Sequence, residues 1–243
     1  VSRRQRQMCI RDSDETEEIW SKYLMDHSKE IKLDGNIFGI ALNYKCLYQT
    51  LQKSFNEKPY VKEPVKPVLF IKTPNTRNSN GGVVVKPQHE TLQAGPALGV
   101  VIGKSTSRVK ESEAAGYIAG YVVINEFSLP EDSYYRPAIK AKCRDGFCAI
   151  GPVVAKDQVQ NVNALTLRVY VNNEVVQEGT TANWVRTPEQ LIQEISEYMT
   201  LNEGDILLTG TPLGRADLHD GDTVTVEIEQ IGKVTNTVQE QGA

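Results

Sequence analysis

The chain has 243 residues, 40% hydrophobic and 24% charged, with 27 Lys and Arg against 31 Asp and Glu and a formal net charge of −4. That is enough apolar chain for one large domain or two small ones, and the mildly acidic balance offers no basic stripe for nucleic acid. No apolar run approaches the roughly 18 residues of a membrane-spanning helix, and four cysteines without a CxxC pair beside three histidines indicate neither a disulfide framework nor a zinc cage. A reducing cytoplasm is the expected location.

In chain order, residues 1–13 (VSRRQRQMCIRDS) carry four arginines and no apolar stretch, which excludes a signal peptide. They read as a non-native, adapter-derived segment. Residues 14–34 read as the helical remnant of an N-terminal region, with acids first and Ile19, Trp20, Tyr23 and Leu24 at helical spacing over 14–30. Asp34-Gly35 marks a turn, 37–42 a buried strand, 43–55 a return to helical spacing, and 67–72 (PVLFIK) another buried strand. The Pro, Asn, Ser and Gly content of 73–82 predicts a loop without regular structure. Further strands are expected at 98–102, 121–127 and 149–155, with a brief helix at 111–117. Residues 165–176 form a predicted hairpin about Asn172-Asn173, a pair tolerant of positive φ. The clearest helix is 188–199, with proline in its first turn and Leu191, Ile192, Ile195 and Met199 in one stripe. Strands at 206–209, 223–229 and 233–238 complete the list. Many short strands without strand–helix alternation predict a mainly β fold with a few helices (α+β), its sheet closed or rolled, over residues 35–240.

One stretch stands out chemically. Residues 134–152 read YYRPAIKAKCRDGFCAIGP, with Arg136, Lys140, Lys142 and Arg144 packed around one acid, Asp145. An extended backbone would place Lys140, Lys142 and Arg144 on one side, a row suited to a ligand with two or three carboxylates. On composition alone a solvated surface loop is an equal reading. His89 and His219 lie in polar loops and read as surface residues. Glu227 and Glu229 read as a solvent face.

The order ALNY (41–44), VLFIKTPNT (68–76), VVIGK (100–104), GYIAGYVVINE (116–126), KAKCRDGF (140–147), NNEVVQEGTTANW (172–184) and MTLNEGDILLTGTPLG (199–214) resembles the fumarylacetoacetate hydrolase family. The stretch SLPEDSYYRPAIKAKCRDGFCAIG is closer still to the N-terminal half of that family's isomerase/decarboxylases of homoprotocatechuate breakdown. The resemblance implies a β-roll, Mg²⁺ or Mn²⁺ held by carboxylates, and β-keto or enol diacids as substrates. It implies a Glu-x-Glu pair before VVIGK, where this chain has Gly95-Pro96-Ala97, and a third metal acid at Glu126. It also implies a His and Glu pair after the NY motif, where Leu47 and Thr50 stand, so hydrolysis is not expected. No cofactor is expected for this chain, with Glu126 only a remnant of the metal position. By the same resemblance Lys142 and Arg144 become the candidate catalytic cations for decarboxylation and isomerisation. Lys72 and the Thr209-Gly210-Thr211 turn become candidates to bind a small anionic substrate. The alternatives are a degenerate, metal-free partner in a homo- or hetero-oligomer with a metal-bearing sister subunit, and a binding module without chemistry.

Overall fold

The protein is described as a computed structural model over residues 31–242, so the expectations for 1–13 and for a helix over 14–30 lie outside the described residues. The strands in chain order are β1 (Ile37–Ala41), β2 (Val68–Lys72), β3 (Arg77–Ser79), β4 (Val83–Lys86), β5 (Leu92–Gln93), β6 (Pro96–Ile102), β7 (Ile118–Glu126), β8 (Cys148–Ala155), β9 (Thr166–Val171), β10 (Glu174–Thr180), β11 (Ile206–Leu208), β12 (Asp217–Leu218), β13 (Thr223–Ile228) and β14 (Gly232–Glu240). The α-helices are α1 (Lys45–Leu51), α2 (Glu111–Ala114), α3 (Ile139–Lys142) and α4 (Pro188–Ser196). The mainly β, α+β expectation holds.

A seven-stranded sheet runs β2-β1-β11-β6-β7-β8-β3, a five-stranded sheet runs β10-β9-β13-β14-β4, and β5 pairs with β12 in a short ribbon. Every residue of β6 is buried, which its unbroken apolar run PALGVVI dictates for a strand covered on both faces. In the five-stranded sheet β13 alternates instead, burying Val224, Val226 and Ile228. Those side chains share one core with Leu98, Val100, Val123, Val169 and Val234. The hairpin forms as expected, with Asn172 and Asn173 at φ 52° and 71°. Helix α4 opens on a capping box between Thr187 and Gln190 and buries Leu191, Ile192 and Ile195.

Three local expectations need correction. Residues 73–82 are not free of regular structure: a 3₁₀ turn at Pro74–Thr76 leads into β3, whose parallel pairing with Cys148–Ile150 is a tertiary contact that local composition does not encode. Strand 67–72 exists as β2 but lies at a sheet edge, with Ile71 42% exposed and Lys72 its only buried residue. The alternation imagined for Lys140, Lys142 and Arg144 is absent, because residues 139–142 are helical and the Lys142 and Cys143 N–H groups donate to Ala138 O and Ile139 O at 2.8 and 2.9 Å.

Buried Asp205 sets the strand that carries the site. Its Oδ1 accepts from Asn36 N at 2.6 Å and its Oδ2 from Asn202 N at 2.7 Å, fixing β11 parallel to β1. Changing Asp205→Ala strands both backbone donors and is expected to cost about 1–3 kcal/mol, read as a lower urea midpoint at unchanged slope.

Candidate functional site

β7 carries an apolar run into the core and ends on Glu126, so the strand's register delivers a carboxylate to a position 1% exposed. An unpaired carboxylate there is prohibitively costly. Three cations meet it: Lys72 Nζ at 2.6 Å from Oε1, Lys142 Nζ at 3.1 Å from Oε2, and Arg215 Nη2 against Oε2. Burial pushes the Glu126 carboxyl up, but Arg215, then Lys142 and Lys72, overcome this and hold it well below the usual carboxylate range.

Each cation has a different remaining freedom. Lys72, from the end of β2, also donates to the carbonyls of Phe127, Lys142 and Phe147 at 2.7, 2.8 and 2.9 Å and has no solvent exposure, so it is a buried brace. Burial pulls its ammonium down in pKa, and Glu126 offsets only part of the pull, so the ammonium stays below its ordinary value. Lys142 sits at the end of α3, over the Phe70 ring at 4.6 Å, and reaches Glu126, Ser128 Oγ at 3.1 Å and Glu131 Oε2 at 3.0 Å. Arg215 is 20% exposed; its Nη1 donates to Glu126 O at 2.8 Å and its Nη2 to Thr211 Oγ1 at 3.3 Å.

Beside these groups lies a cavity of about 190 Å³, lined among others by Ala97, Glu126, Glu131, Lys142, Thr211 and Arg215. Gly210 and Thr211 are on its wall, and Gly210 takes φ 96°, where a Cβ would come within 2.8 Å of Ile40 O. Asn43 braces the turn by donating to Thr209 O at 2.9 Å. Thr209 itself is buried, and its hydroxyl donates to Leu98 O at 3.0 Å rather than facing the cavity. Among the described residues, the N–H groups of Gly210 and Thr211 have no hydrogen-bond partner in the protein.

Two members of the expected cation row lie elsewhere. Arg144 Nη2 bonds Glu90 Oε1 at 2.9 Å and Lys140, 78% exposed, reaches Glu90 Oε2 at 3.2 Å, because the helical turn of α3 sends them away from Lys142. Leu47 lines the cavity, whereas the Thr50 hydroxyl returns to Cys46 O on α1. His89 and His219 are exposed, as expected, and Glu227 and Glu229 bond Tyr170 OH and Thr166 N rather than grouping. Arg215 and Glu131 escaped the sequence reading. A signal for the first was present, a lone arginine closing the glycine-bounded turn TGTPLGR. Nothing local marks Glu131.

A family-level match to "Fumarylacetoacetate (FAA) hydrolase C-terminal" covers residues 36–239. The chain belongs to the fumarylacetoacetate hydrolase family. It is 41% identical over 209 residues to the 4-hydroxyphenylacetate degradation bifunctional isomerase/decarboxylase of Escherichia coli, a match covering 86% of this chain and 48% of that protein. The chain spans about half the length of the first curated relatives it matches. Among solved structures, the 2-hydroxyhepta-2,4-diene-1,7-dioate isomerase of Mycobacterium marinum superposes with a TM-score of 0.74 at 29% identity, covering 87% of this chain and 77% of that one. Maleylpyruvate hydrolase of Sphingobium, solved with manganese(II) and pyruvate, shares the fold at a TM-score of 0.69 and 24% identity, covering 84% of this chain and 70% of that one.

The family binds a divalent metal, yet the residues here do not fit one. Gly95 lies across from Glu126, whose N–H donates to Gly95 O at 2.8 Å. A Cβ on Gly95 would overlap Arg215 Nη1 and come within 2.6 Å of Glu126 O. A side chain at 95 would therefore have to displace both the guanidinium of Arg215 and the Glu126 carbonyl, and the Glu126 carboxylate is already neutralised by nitrogen cations rather than left open to a hard cation.

Glu126→Gln leaves three cations short of their counter-charge and is expected to cost about 3–5 kcal/mol at pH 7. Because the folded carboxyl is depressed, its stabilisation is present above the unfolded value of about 4.3 and fades as pH falls toward the folded value. Urea denaturation of both proteins at pH 7 and pH 3 should show the gap narrowing in acid.

Proposed function

We propose that the chain binds unsaturated keto and enol di- and tricarboxylates in this cavity and acts on them as an isomerase/decarboxylase half, with Arg215 and Lys142 supplying the positive charge. One observation carries the reading: three cations against two carboxylates leave a net positive site beside a turn with free N–H donors. Such a site attracts an anion and stabilises growing negative charge. The likeness to the E. coli isomerase/decarboxylase and the M. marinum isomerase supports the substrate class, exemplified by 5-oxopent-3-ene-1,2,5-tricarboxylate and 2-hydroxyhepta-2,4-diene-1,7-dioate.

In decarboxylation, the C–C bond to the leaving carboxylate breaks and its electron pair passes to the neighbouring ketone, giving an enolate and CO₂. Arg215, the most exposed cation of the cage, brings its positive charge to the cavity wall, where it can offset a substrate carboxylate or the enolate oxygen. Lys142 lies behind it, held in orientation by Phe70 and Ser128. Leu47 in the cavity wall cannot take a proton from water, which agrees with lyase and isomerase chemistry rather than hydrolysis.

A second reading, a catalytically silent partner of a metal-bearing sister subunit, is favoured by Gly95 and Ala97 standing at the two glutamate positions. Turnover of the tricarboxylate by the purified chain in chelator separates the two, since the silent partner gives none. For the site itself, calorimetric titration of propane-1,2,3-tricarboxylate in EDTA is expected to show Arg215→Ala weakening affinity about ten- to a hundredfold, the loss of one charge-assisted contact of about 1.5–3 kcal/mol. Arg144→Ala, remote from the cavity and paired with Glu90 at the surface, should cost under about 1 kcal/mol. Equal small losses from both variants, erased by salt, would place the anion on the outer loop instead.

A further inference from the structure

Isomerisation of an enol diacid moves a proton from oxygen to carbon, so the cavity must contain a group that accepts and returns one. The groups facing the cavity differ sharply in that capacity. Glu126 is clamped by three cations, and protonating it would uncover all of them in a buried site. Lys142 is held by hydrogen bonds to Glu126 and Ser128 and by its ion pair with Glu131. Arg215 is a guanidinium, which does not exchange its charge under protein conditions. Tyr134, also in the wall, is pushed up by its burial and by neighbouring Glu131, so it stays a phenol.

Glu131 is different. It comes from the segment after β7, is 11% exposed, and lines both this cavity and the adjoining outer pocket against Pro137 and Ala138. Its Oε2 pairs with Lys142 at 3.0 Å, and among the described residues its Oε1 has no hydrogen-bond partner. The carboxylate is thus anchored by one oxygen and open at the other, between the cation cage and the outside.

We infer that Glu131 is the proton-carrying catalytic residue of this cavity, acting on the carbon skeleton of a 2-oxo or 2-hydroxy-diene diacid. The inference rests on the proposed anion-binding function. In the ketone-to-enol direction, Glu131 takes a proton from a carbon conjugated to the ketone, the C–H electron pair moves through the conjugated chain to the ketone oxygen, and Arg215 offsets the charge formed there. Water then gives that oxygen a proton, and Glu131 loses its own to the outer pocket. The reverse direction returns the proton to carbon, so atoms and charge balance with no other reactant. Lys142 is a positioning residue for this step, since it fixes Oε2 and leaves Oε1 toward the ligand.

The test uses 2-oxoadipate in D₂O with EDTA, following exchange of the protons beside the ketone by ¹H NMR and binding by calorimetry. Wild type is expected to exchange above the buffer rate. Glu131→Gln should lose about 100-fold in exchange or fall to the buffer rate. It should bind 2-oxoadipate within about threefold of wild type, because a neutral amide of the same shape removes the base without removing Arg215. Glu131→Asp should recover part of the exchange. Melting temperatures of both variants check that the fold persists, and Glu131→Asp carries the test if Glu131→Gln does not fold. Binding without exchange in wild type, or full exchange in Glu131→Gln, overturns the role of Glu131 and leaves the anion site intact. Failure of wild type to bind 2-oxoadipate at all would overturn the function on which the role depends.

Discussion

The buried carboxylate of Glu126 is the constraint on which this end of the molecule depends. β7 is an interior strand of the seven-stranded sheet, between β6 and β8, and its register places an acid where water does not reach. The neighbouring elements are then tied to that acid: Lys72 from the edge strand β2, Lys142 from α3 and Arg215 from the loop before β12. Lys72 is saturated by carbonyls and behaves as architecture. Lys142 links architecture to cavity, and Arg215 alone combines a cage contact with substantial exposure. A buried ion network of this kind adds little net stability compared with an apolar core, but removal of any one member exposes the others, so it fixes geometry strongly.

The same arrangement accounts for the departure from the family's metal chemistry. A divalent cation held by three carboxylates and a carboxylate held by three nitrogen cations both present positive charge to a ligand, but they are built from opposite residues. The backbone at Gly95 makes the choice local: without a side chain there, the guanidinium of Arg215 has room to lie along the end of β7. The outcome is a cavity whose positive charge comes from side chains, with the Gly210 turn on one wall and apolar residues such as Leu47 and Phe70 on others.

Much of the fold was legible because its signals are local. Apolar runs marked β1, β6, β7 and β11, Asn172-Asn173 supplied positive φ, and Pro188 with the Leu191 stripe defined α4. β3 and β4 are held by parallel partners distant in the chain, so composition around Pro74 and Gly82 pointed to a loop. In the site, Lys142 was legible from the charge of its stretch, whereas Lys72 and Glu126 were reached only through the family resemblance. Arg144 was misplaced for one reason: a period of two was assumed where Ala138 and Ile139 accept helical hydrogen bonds. Glu131 was illegible because only the packing of its segment against Lys142 distinguishes it from the exposed Asp132 next to it.

The central claim is that Arg215 stands where a metal site would otherwise be assembled, and manganese(II) electron paramagnetic resonance tests it directly. Titrated with Mn²⁺, the wild-type chain should leave the signal of the free hydrated ion undiminished. A variant carrying Gly95→Glu, Ala97→Glu and Arg215→Ala together supplies carboxylates beside Glu126 and clears the guanidinium, and, with the Glu126 carbonyl shifting to admit the new Cβ, should attenuate that signal in proportion to protein. Stoichiometric loss of the free-ion signal with the wild-type chain, reversed by chelator, would contradict the account.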